Sequence, residues 1–380
     1  MSMEIAARTE SLKQRARQLG FDLAGACPAV TPAGVTRLAE WLQHGFAGEM
    51  QYIERRRQAY AHPDHVLDGC RSILMLSMNY SVAAEQKESR SAGHGRVARY
   101  AGSRDYHDVI REKLNALTDF LRTLAPAAVA RGVVDTAPLL EREFAQLAGL
   151  GWIGKNTMLL NPRRGSYFFL AALLTDLELA YDEPTTVDHC GSCTACLDAC
   201  PTDAFASPHV LDSRKCISYL TIELKAPIPR PLRAGVGNWL FGCDVCQEVC
   251  PWNRFAPQTV DAAIAPQDHA TSLDPCELLR LDDEEFRRRF RETPLWRPRR
   301  RGILRNAAIV LGNTRPPHGV AALAIAINDV EPLIRGAAAW ALGQYGHDMA
   351  QTLLRQRADV EHDAEVREEI EVALAIRSAD

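Results

Sequence analysis

The chain has 380 residues, of which 47% are apolar and 24% charged, and its formal net charge is −4. This length suffices for two or three domains, and the weak negative charge excludes a uniformly basic protein, so any nucleic-acid-binding surface must be a local patch. The first twenty residues carry charges throughout, no apolar run approaches the ~18 residues of a membrane helix, and no twin-arginine export signal occurs, so we expect a cytoplasmic protein.

Strands and helices alternate along the first half of the chain. A helix with Leu12, Ala16 and Leu19 on one face opens the chain and stops at Gly20. The elements expected next are a strand over 21–26, a helix over 35–43, a strand over 72–78, a polar loop over 83–95, a helix over 108–124, a short strand at Val133 and Val134, a helix over 139–148 opened by Pro138, and a strand over 165–175. This order predicts an α+β protein with an α/β-type N-terminal domain.

Two cysteine runs occupy the middle of the chain. Each ends in the Cys-x3-Cys-Pro step of ferredoxin-type iron–sulfur sites, in which the last cysteine ligates the other cluster. The second run lacks a leading cysteine, and Cys216 upstream can take that place. The predicted ligands of two 4Fe–4S clusters are Cys190, Cys193, Cys196 and Cys250 for the first, and Cys216, Cys243, Cys246 and Cys200 for the second.

Zinc sites and disulfides are the alternatives for these cysteines. Zinc sites usually combine two Cys-x2-Cys pairs without the Cys-x3-Cys-Pro ends. Disulfides are rare in a chain without a secretory signal. We expect the remaining Cys27, Cys70 and Cys276 to behave as small buried apolar residues.

The C-terminal part repeats itself. The segment from Arg305 to Gly312 is echoed from Arg335 to Gly343, with a fainter copy over 366–374, which is a helical repeat of about thirty residues. This pattern predicts short HEAT-like helix pairs that must pack against neighbours to bury their apolar faces. A generic helical tail is the alternative.

Nine arginines lie between residues 287 and 305, with aromatic residues among them. The guanidinium fork suits phosphate oxygens, and no acidic residue interrupts the last part of this segment. The candidates for contact with nucleic acid are therefore Arg297, Arg299, Arg300, Arg301 and Arg305. Pairing with the acidic residues over 282–285 is the alternative.

Iron–sulfur clusters transfer single electrons, which leaves three classes of function. The protein is an enzyme with its own catalytic cofactor, an electron-carrier subunit, or a repeat scaffold with structural clusters. The long domain ahead of the clusters argues against a pure carrier. Gly149, Gly151 and Gly154 have the Gly-x-Gly-x-x-Gly spacing, but they follow a predicted helix rather than a strand, and no Gly-x4-Gly-Lys-Ser/Thr loop occurs in that domain. A nicotinamide or an ATP site is therefore not supported.

A set of short motifs, spread over nearly the whole chain, resembles the epoxyqueuosine reductase family. They are Asp105-Tyr-His-Asp108, Val134-Asp135-Thr136, Glu141-Arg-Glu143, the stretch 148–156, Gly165-Ser166, Cys190-Gly-Ser-Cys193, Arg214-Lys-Cys216-Ile-Ser-Tyr219, Gly242-Cys-Asp-Val-Cys246 and Arg335-Gly-Ala-Ala-Ala-Trp340. The resemblance implies a cobalamin-dependent enzyme with two 4Fe–4S clusters that reduces epoxyqueuosine to queuosine at the wobble position of a tRNA anticodon. A reductive dehalogenase-like enzyme, with the same cofactors, and an electron-carrier subunit are the alternatives.

The resemblance also implies roles for single residues. Asp135 matches the proton donor to the epoxide oxygen, and to carry a proton its pKa would have to be raised from ~3.9 by burial beside the cofactor. Capping the next helix is its alternative role. The implied cobalamin contacts are Arg55, Ala98, Asp135, Leu159, Leu170, Ser218, Gly242, Cys243, Asp244 and Val245.

Three points qualify these contacts. The run of arginines from Arg55 to Arg57 is equally consistent with a solvated helix face. No Asp-x-His-x-x-Gly motif occurs, so we expect no histidine ligand to cobalt from the protein. Further candidates, for which a structural hydrogen-bonding role is the alternative, are Tyr106, His107, Lys155 and Asn156.

Four domains follow from these assignments. We predict a cobalamin-binding catalytic domain over 1–180, a ferredoxin-type cluster domain over 181–257, a linker with the basic cluster over 258–300, and HEAT-like, tRNA-binding repeats over 301–380. The expected partners are a tRNA with a queuosine-type anticodon and an external electron donor. We expect a monomer without a membrane partner.

Overall fold

The structure, a computed structural model, describes residues 3–81, 93–254, 256–259, 261–264 and 272–376. The polar loop predicted over 83–95 lies outside the described residues up to residue 92. Among the described helices, none combines the length and the apolar character that crossing a membrane requires.

Helices and short strands alternate along the chain. The strands are β1 (Leu23–Pro28), β2 (Ser72–Asn79), β3 (Gly95–Val97), β4 (Ala130–Val133), β5 (Trp152–Ile153), β6 (Leu159–Leu160), β7 (Phe168–Thr175), β8 (Phe205–Ser207), β9 (Val210–Leu211), β10 (Trp239–Phe241) and β11 (Ser272–Leu273). The helices are α1 (Met3–Gln18), α2 (Gly34–Gln43), α3 (Gln51–Arg55), α4 (Tyr106–Leu124), α5 (Glu141–Leu147), α6 (Ala195–Asp198), α7 (Ile217–Ile222), α8 (Arg230–Val236), α9 (Val245–Glu248), α10 (Pro275–Leu278), α11 (Asp283–Phe290), α12 (Arg299–Thr314), α13 (Gly319–Ala326), α14 (Pro332–Tyr345), α15 (Asp348–Ala358) and α16 (Ala364–Ala375).

The chain divides into two compact units, each built from separate stretches of sequence. Unit 1 comprises Met1–Ala83, Asp105–Asp212 and Val245–Ala265, and unit 2 comprises Ala84–Arg104, Ser213–Asp244 and Pro266–Asp380. The predicted cluster domain over 181–257 is therefore shared between the two units. The predicted domain boundaries stay a prediction, since the units follow a different division of the chain.

Unit 1 is built on a four-stranded sheet in the order β1-β2-β7-β4. All three pairings are antiparallel, so the alternation of strands and helices does not produce a parallel sheet here. The two central strands, β2 and β7, are almost wholly buried, which explains why both read as continuous apolar runs. Helix α5 packs with these strands in one apolar cluster, and Leu114 of α4 approaches β4 at Gly132.

Unit 2 contains the repeated helices. Helix α12 packs on α14, and α14 packs on α16. A Cβ atom at Gly312 would lie 2.5 Å from the ring of Trp340, so the glycine of the repeat allows α12 and α14 to approach closely. Arg335 donates to the carboxylate of Glu361 and to two backbone carbonyls before its own helix, which anchors the repeat internally.

The position of Arg305 corrects one prediction. Its side chain is 1% exposed, and its guanidinium donates to the carbonyl oxygens of Leu220, Leu224 and Ala226 at 2.6–2.8 Å. A guanidinium that is buried with its donors engaged cannot reach a phosphate. The prediction that Arg305 contacts nucleic acid is therefore wrong, and the residue is the structural arginine of the first repeat.

We expect Arg305→Met to lower the midpoint of thermal unfolding by several degrees. The substitution keeps an unbranched apolar side chain but leaves three carbonyl oxygens without their donor, and losing one partner of a buried charged network costs about 3–5 kcal/mol. The exposed Arg299→Met is the control, for which circular dichroism should give a midpoint close to that of the wild type. Equal midpoints for both variants would contradict the anchoring role.

Candidate active site and cluster ligands

Asp135 lies on a turn of unit 1 between β4 and α5. Its backbone is left-handed, with φ of 54°, a conformation that aspartate tolerates better than most residues. The strand ends one residue earlier than predicted and the helix begins two residues later, at Glu141, which lengthens the turn. No side chain caps α5, and its N-cap residue is Leu140, so the alternative role of Asp135 as a helix cap does not apply.

Two hydrogen bonds hold this turn in place. The backbone N–H of Asp135 donates to Oε1 of Glu141 at 2.8 Å. The guanidinium of Arg56 donates to the carbonyl oxygen of Thr136 through both Nη atoms, at 2.9 Å each. Of the run of arginines, the structure therefore ties Arg56 to the loop, whereas Arg55 is exposed on α3 and donates to Gln51 one turn earlier.

The carboxylate of Asp135 meets the beginning of α4. Its Oδ2 atom accepts from the hydroxyl of Tyr106 at 2.6 Å and lies 3.2 Å from Nε2 of His107. Asp105 caps α4 by accepting from the backbone N–H of His107 at 2.9 Å, and its Oδ1 also lies 2.7 Å from Nδ1 of the imidazole. One short motif, Asp105-Tyr106-His107, thus brings two donors to Asp135 and orients the histidine ring.

His107 is the protonated histidine of this site. Burial alone would lower its pKa, but the hydrogen bonds to Asp105 and Asp135 outweigh it and raise the pKa of His107 to about 9. The imidazole is therefore charged near neutral pH and donates from both ring nitrogens. Burial, together with the nearby carboxylate of Asp135, also raises the pKa of Glu141 to about 8.

The predicted protonation of Asp135 by burial beside the cofactor stays a prediction. The side chain of Asp135 is 46% exposed, and it receives hydrogen bonds from Tyr106 and His107. His107, whose pKa is raised to about 9, therefore places a proton at hydrogen-bond distance from Asp135.

Aromatic stacking connects this site to the second cysteine run within unit 1. Tyr106 stacks on Phe169 of β7, with ring centroids 4.2 Å apart, and Phe169 contacts Tyr80 at 4.7 Å. The amide of Gln247 donates to the hydroxyl of Tyr80 at 3.3 Å and to the carbonyl oxygen of Ser166 at 3.0 Å. Gln247 follows Cys246 in the sequence. A continuous chain of contacts therefore joins the residues around Asp135 to this cysteine run.

Four of the predicted ligands, those of the first cluster, gather in unit 1. All eleven cysteines of the chain lie within the described residues, and none of them forms a disulfide there. Burial raises the pKa of Cys196, and the neighbouring Cys190, Cys250 and Cys193 raise it further. Several thiols in one place cannot all ionise without a compensating cation. Burial, together with Cys190 and Cys193, likewise raises the pKa of Cys250. This concentration of thiols in one place suits a metal cluster.

The turn Gly154-Lys155-Asn156 ties the two cysteine runs together within unit 1. The ammonium of Lys155 donates to the carbonyl oxygens of Gly191 and Cys193 at 2.6 and 2.9 Å. The amide of Asn156 donates to the carbonyl oxygen of Cys246 at 3.3 Å. Lys155 and Asn156 therefore have the structural hydrogen-bonding role that was the alternative for them.

The predicted ligands of the second cluster fall in both units. Cys200 and Cys246 belong to unit 1, where Cys200 Sγ accepts from the backbone N–H of Ala204 at 3.3 Å. Cys216 and Cys243 belong to unit 2, where Cys216 is the N-cap residue of α7. Cys216 and Cys243 lie in the same stretch of unit 2, whereas Cys200 and Cys246 lie in two separate stretches of unit 1.

The implied cobalamin contacts of unit 2 lie around β3 and β10. The backbone N–H of Ala98 donates to the carbonyl oxygen of Phe241 at 2.8 Å. Gly242 has a left-handed φ of 68°, and a Cβ atom there would lie 2.5 Å from the Cβ of Ala98. Asp244 is buried and accepts from the backbone N–H of Arg99 at 2.9 Å. Ser218 lies on the neighbouring helix, α7, which packs on β10.

The implied contacts of unit 1 are apolar apart from Asp135 and Arg55. Leu159 is buried in the apolar cluster that includes β2, β7 and α5, and Leu170 packs against that cluster. Val245 is the first residue of α9. It also begins the last stretch of unit 1, since the preceding Asp244 belongs to unit 2. The structure thus places these residues in two groups, one in each unit.

The three spare cysteines are buried, as predicted. Burial raises the pKa of Cys27 to about 12, of Cys70 to about 11 and of Cys276 to about 11. These thiols therefore stay protonated, and their thiolate forms are suppressed.

The arginine segment of unit 2 is divided between exposed and engaged side chains. Arg297, Arg299 and Arg301 are exposed, although Arg297 pairs with Glu223 at 2.8 Å and Arg301 donates to the carbonyl oxygen of Lys225. Arg300 is mostly buried, and its guanidinium pairs with Asp329 and donates to the carbonyl oxygen of Leu281. The predicted patch therefore has fewer available guanidinium groups than the sequence suggests.

Three family models match parts of the chain. A model described as a 4Fe-4S double cluster binding domain matches residues 189–253, and one for HEAT repeats matches residues 300–375. A third, described as epoxyqueuosine reductase QueG, DUF1730, matches residues 61–136. The predicted 4Fe–4S clusters and HEAT-like repeats are thereby confirmed.

Two full-length relatives decide the family. An epoxyqueuosine reductase of Pseudomonas aeruginosa is 40% identical over 340 residues, which are 89% of this chain and 94% of the relative. The chain belongs to the epoxyqueuosine reductase family. An epoxyqueuosine reductase of Escherichia coli K12 is 36% identical over 337 residues, covering 88% of this chain and 89% of the relative. The predicted family and the predicted oxidoreductase class are confirmed.

Solved epoxyqueuosine reductases share the fold. A crystal structure of an epoxyqueuosine reductase with a tRNA-Tyr epoxyqueuosine-modified stem loop matches with a TM-score of 0.91 and 32% identity, over 97% of this chain and 98% of that one. The Bacillus subtilis epoxyqueuosine reductase, in a structure with its catalytic aspartate loop swung out of the active site, matches with a TM-score of 0.89 and 31% identity over the same shares. The predicted α+β class is confirmed.

The sequence alone does not identify several residues of this site. Glu141 was noted only as part of a motif, Arg56 only as part of the arginine run, and Phe169 and Gln247 not at all. In the sequence, Phe169 is one of several apolar residues of a buried strand, and Gln247 is a polar residue between two cysteines. Their roles depend on pairing between distant segments, for which local spacing carries no signal.

The stability of the protein should depend on pH through His107. The pKa of His107 is raised from 6.5 to about 9 on folding, so its contribution is complete below pH 6.5 and is lost as the pH rises to about 9. That contribution is on the order of 3 kcal/mol. We expect the difference in thermal midpoint between the wild type and His107→Gln to shrink across this window, as measured by scanning calorimetry. A difference that stays constant from pH 6 to pH 10 would contradict the charged imidazole.

Proposed function

We propose that this protein reduces epoxyqueuosine to queuosine in the anticodon of tRNA. The observation that carries this proposal is the match, over nearly the whole length of both chains, to a solved epoxyqueuosine reductase with a modified tRNA stem loop. We further propose that an external donor supplies electrons through two 4Fe–4S clusters to cobalamin. The protein would work as a cytoplasmic monomer, with the catalytic, cluster, linker and repeat domains over 1–180, 181–257, 258–300 and 301–380.

The reaction needs two electrons and two protons for each epoxide. The C–O bonds to the epoxide oxygen break, an alkene forms, and the oxygen leaves as water. Bound cobalamin supplies the reducing chemistry at the substrate carbon, and the clusters supply its electrons one at a time. The remaining task of the polypeptide is to bind and orient the substrate and to deliver protons to its oxygen.

Asp135 is the residue that we propose to deliver the first proton. His107, charged near neutral pH and 3.2 Å from Asp135 Oδ2, is the source from which Asp135 is protonated when the oxygen of the substrate accepts a proton. The hydroxyl of Tyr106 orients the carboxylate at 2.6 Å. The left-handed turn and the exposure of Asp135 support a residue that faces a substrate rather than the core.

The eight predicted cysteines are the proposed cluster ligands. For the first cluster, support comes from the raised pKa values of Cys196 and Cys250, to which burial and then the neighbouring Cys190 and Cys193 contribute. Further support comes from a buried indole N–H beside them that has no partner among the described residues. For the second cluster, support comes from the Cys-x2-Cys and Cys-x3-Cys-Pro spacing. The family model over 189–253 includes all eight.

Cobalamin is held mainly through main chain and small residues in this proposal. The contacts of unit 2 fit such a group because Ala98, Gly242 and Cys243 present backbone and small side chains rather than long ones. Asp244, held by Arg99, would fix that backbone rather than contact the cofactor directly. Ser218, Val245, Leu159, Leu170 and Arg55 remain proposed contacts on the strength of the resemblance.

We expect Asp135→Asn to retain both clusters and cobalamin but to lose turnover. The amide cannot relay a proton from His107, and general acid catalysis contributes about 10²–10⁴ to the rate. The measurement is single-turnover conversion of an epoxyqueuosine-containing tRNA stem loop, followed by mass spectrometry, with iron and cobalt counted on the same sample.

The matched control for this prediction is Asp108→Asn. This variant makes the same chemical change on the exposed side of α4, where the carboxylate of Asp108 pairs with Arg111 one turn on. Its rate should therefore stay near that of the wild type. If Asp135→Asn turns over within threefold of Asp108→Asn, Asp135 is not the proton donor.

For tRNA, we propose contacts from Arg297, Arg299 and Arg301. Each is exposed, and the HEAT repeats that adjoin them offer a helical surface. Arg300 and Arg305 are left out because their donors are engaged inside the protein. A guanidinium in contact with a phosphate releases a condensed counterion, which makes binding depend on salt.

We expect glutamine at each of these three positions to flatten the salt dependence of stem-loop binding. Every phosphate contact that is lost should lower the log–log slope by ~0.7–0.9. Fluorescence anisotropy at a series of salt concentrations measures the slope, with the exposed Arg122→Gln in α4 as the control. A slope that none of the three variants changes would place the tRNA elsewhere.

A further inference from the structure

Trp152 is a buried residue with an unused hydrogen-bond donor. It lies at the beginning of β5 in unit 1, is 1% exposed, and pairs across β5 and β6 with Leu160. Its indole Nε1–H is buried and has no hydrogen-bond partner among the residues that the structure describes. A buried donor left unpaired costs about 1–3 kcal/mol, and buried indoles usually find an acceptor.

The residues around Trp152 limit which atoms can accept a hydrogen bond from its indole N–H. Trp152, Leu160 and Cys250 form one buried cluster, against which Cys190 and Trp252 pack. Trp252 and His189 stand edge-on to the indole at 5.1 and 4.8 Å between centroids, and an aromatic face is at best a weak acceptor. The acceptors that this environment would offer are sulfur atoms, because Cys190 and Cys250 are proposed ligands of the first cluster.

We propose that Trp152 donates its indole N–H to a sulfur of the first 4Fe–4S cluster and thereby raises the reduction potential of that cluster. This inference rests on the ligand set proposed above. A reduced cluster carries one more negative charge than an oxidised one, so a donor aimed at its sulfur atoms stabilises the reduced form. Trp152 is then a positioning and tuning residue for electron delivery rather than a catalytic residue.

The test is Trp152→Phe in the full chain with both clusters loaded. Phenylalanine keeps an aromatic ring but removes the N–H. At a fixed ambient potential, we expect the ratio of reduced to oxidised first cluster to fall about tenfold, which corresponds to about 59 mV for one electron. A redox titration followed by electron paramagnetic resonance should therefore show one of the two midpoint potentials lowered and the other unchanged.

The matched control is Trp252→Phe. This substitution removes an indole nitrogen from the same aromatic group, so any effect of general loosening should appear in both variants. We expect the midpoint potentials of Trp252→Phe to equal those of the wild type. Unchanged potentials in Trp152→Phe, or equal shifts in the two variants, would overturn the inference.

A second measurement needs no variant and so does not depend on whether Trp152→Phe folds. Wild-type protein labelled with ¹⁵N in its indole nitrogens is reduced, and electron–nuclear double resonance is recorded in H2O and in D2O. We expect a ¹⁵N coupling and an exchangeable proton coupling on one cluster, the latter lost in D2O. Absence of both couplings on a fully loaded cluster would refute the hydrogen bond.

The two measurements also separate this inference from the proposed function. If wild-type protein binds iron and sulfide in the amounts of two 4Fe–4S clusters but shows no indole coupling, the hydrogen bond fails and the cluster assignment stands. If wild-type protein forms no 4Fe–4S signal at all, the ligand set fails, and with it this inference.

Discussion

The position of β7 at the centre of the sheet of unit 1 is the constraint on which the described site depends. β7 pairs with β2 along its whole length and with β4 over four residues, so that Val133 lies opposite Ala172 and Asn79 opposite Phe168. This register brings the turn after β4, which carries Asp135, to the same end of the sheet as the start of β7. A slip of one residue would turn every side chain of the strand to the opposite face.

Neighbouring groups favour the charged form of His107 but the neutral form of thiols in the first cysteine run. At Asp135, carboxylates surround an imidazole, so a positive charge is stabilised and a proton is held on His107. At the first cysteine run, burial and neighbouring thiols together raise the pKa values of Cys196 and Cys250. Such a group needs a cationic centre before its thiolates can form, which is what an iron–sulfur cluster provides. The neighbouring groups thus decide which site holds a proton and which site binds metal.

Arginine serves three purposes in this protein, and burial distinguishes them. Arg305 and Arg335 are buried, and their guanidinium groups tie the repeat helices to neighbouring carbonyl oxygens or to Glu361. Arg56 holds the turn at Thr136 from the surface of unit 1. Arg297, Arg299 and Arg301 are exposed and suit contact with an external phosphate. The recurrence of arginine at Arg305 and Arg335 reflects packing, because both side chains are buried and both guanidinium groups are engaged inside unit 2.

The sequence by itself determined whatever local spacing encodes. Cysteine spacing predicted both iron–sulfur clusters, the Arg-to-Gly echo predicted the helical repeats, and the motifs around Asp135 indicated the family. The tertiary structure alone decided the antiparallel sheet, the proton on His107, the burial of Arg305 and the unpaired N–H of Trp152. Each of these depends on groups far apart in the chain, such as Tyr106 with Asp135 or Arg305 with Leu220. Burial and partner choice are settled only when such segments pack, and no pattern of neighbouring residues contains that information.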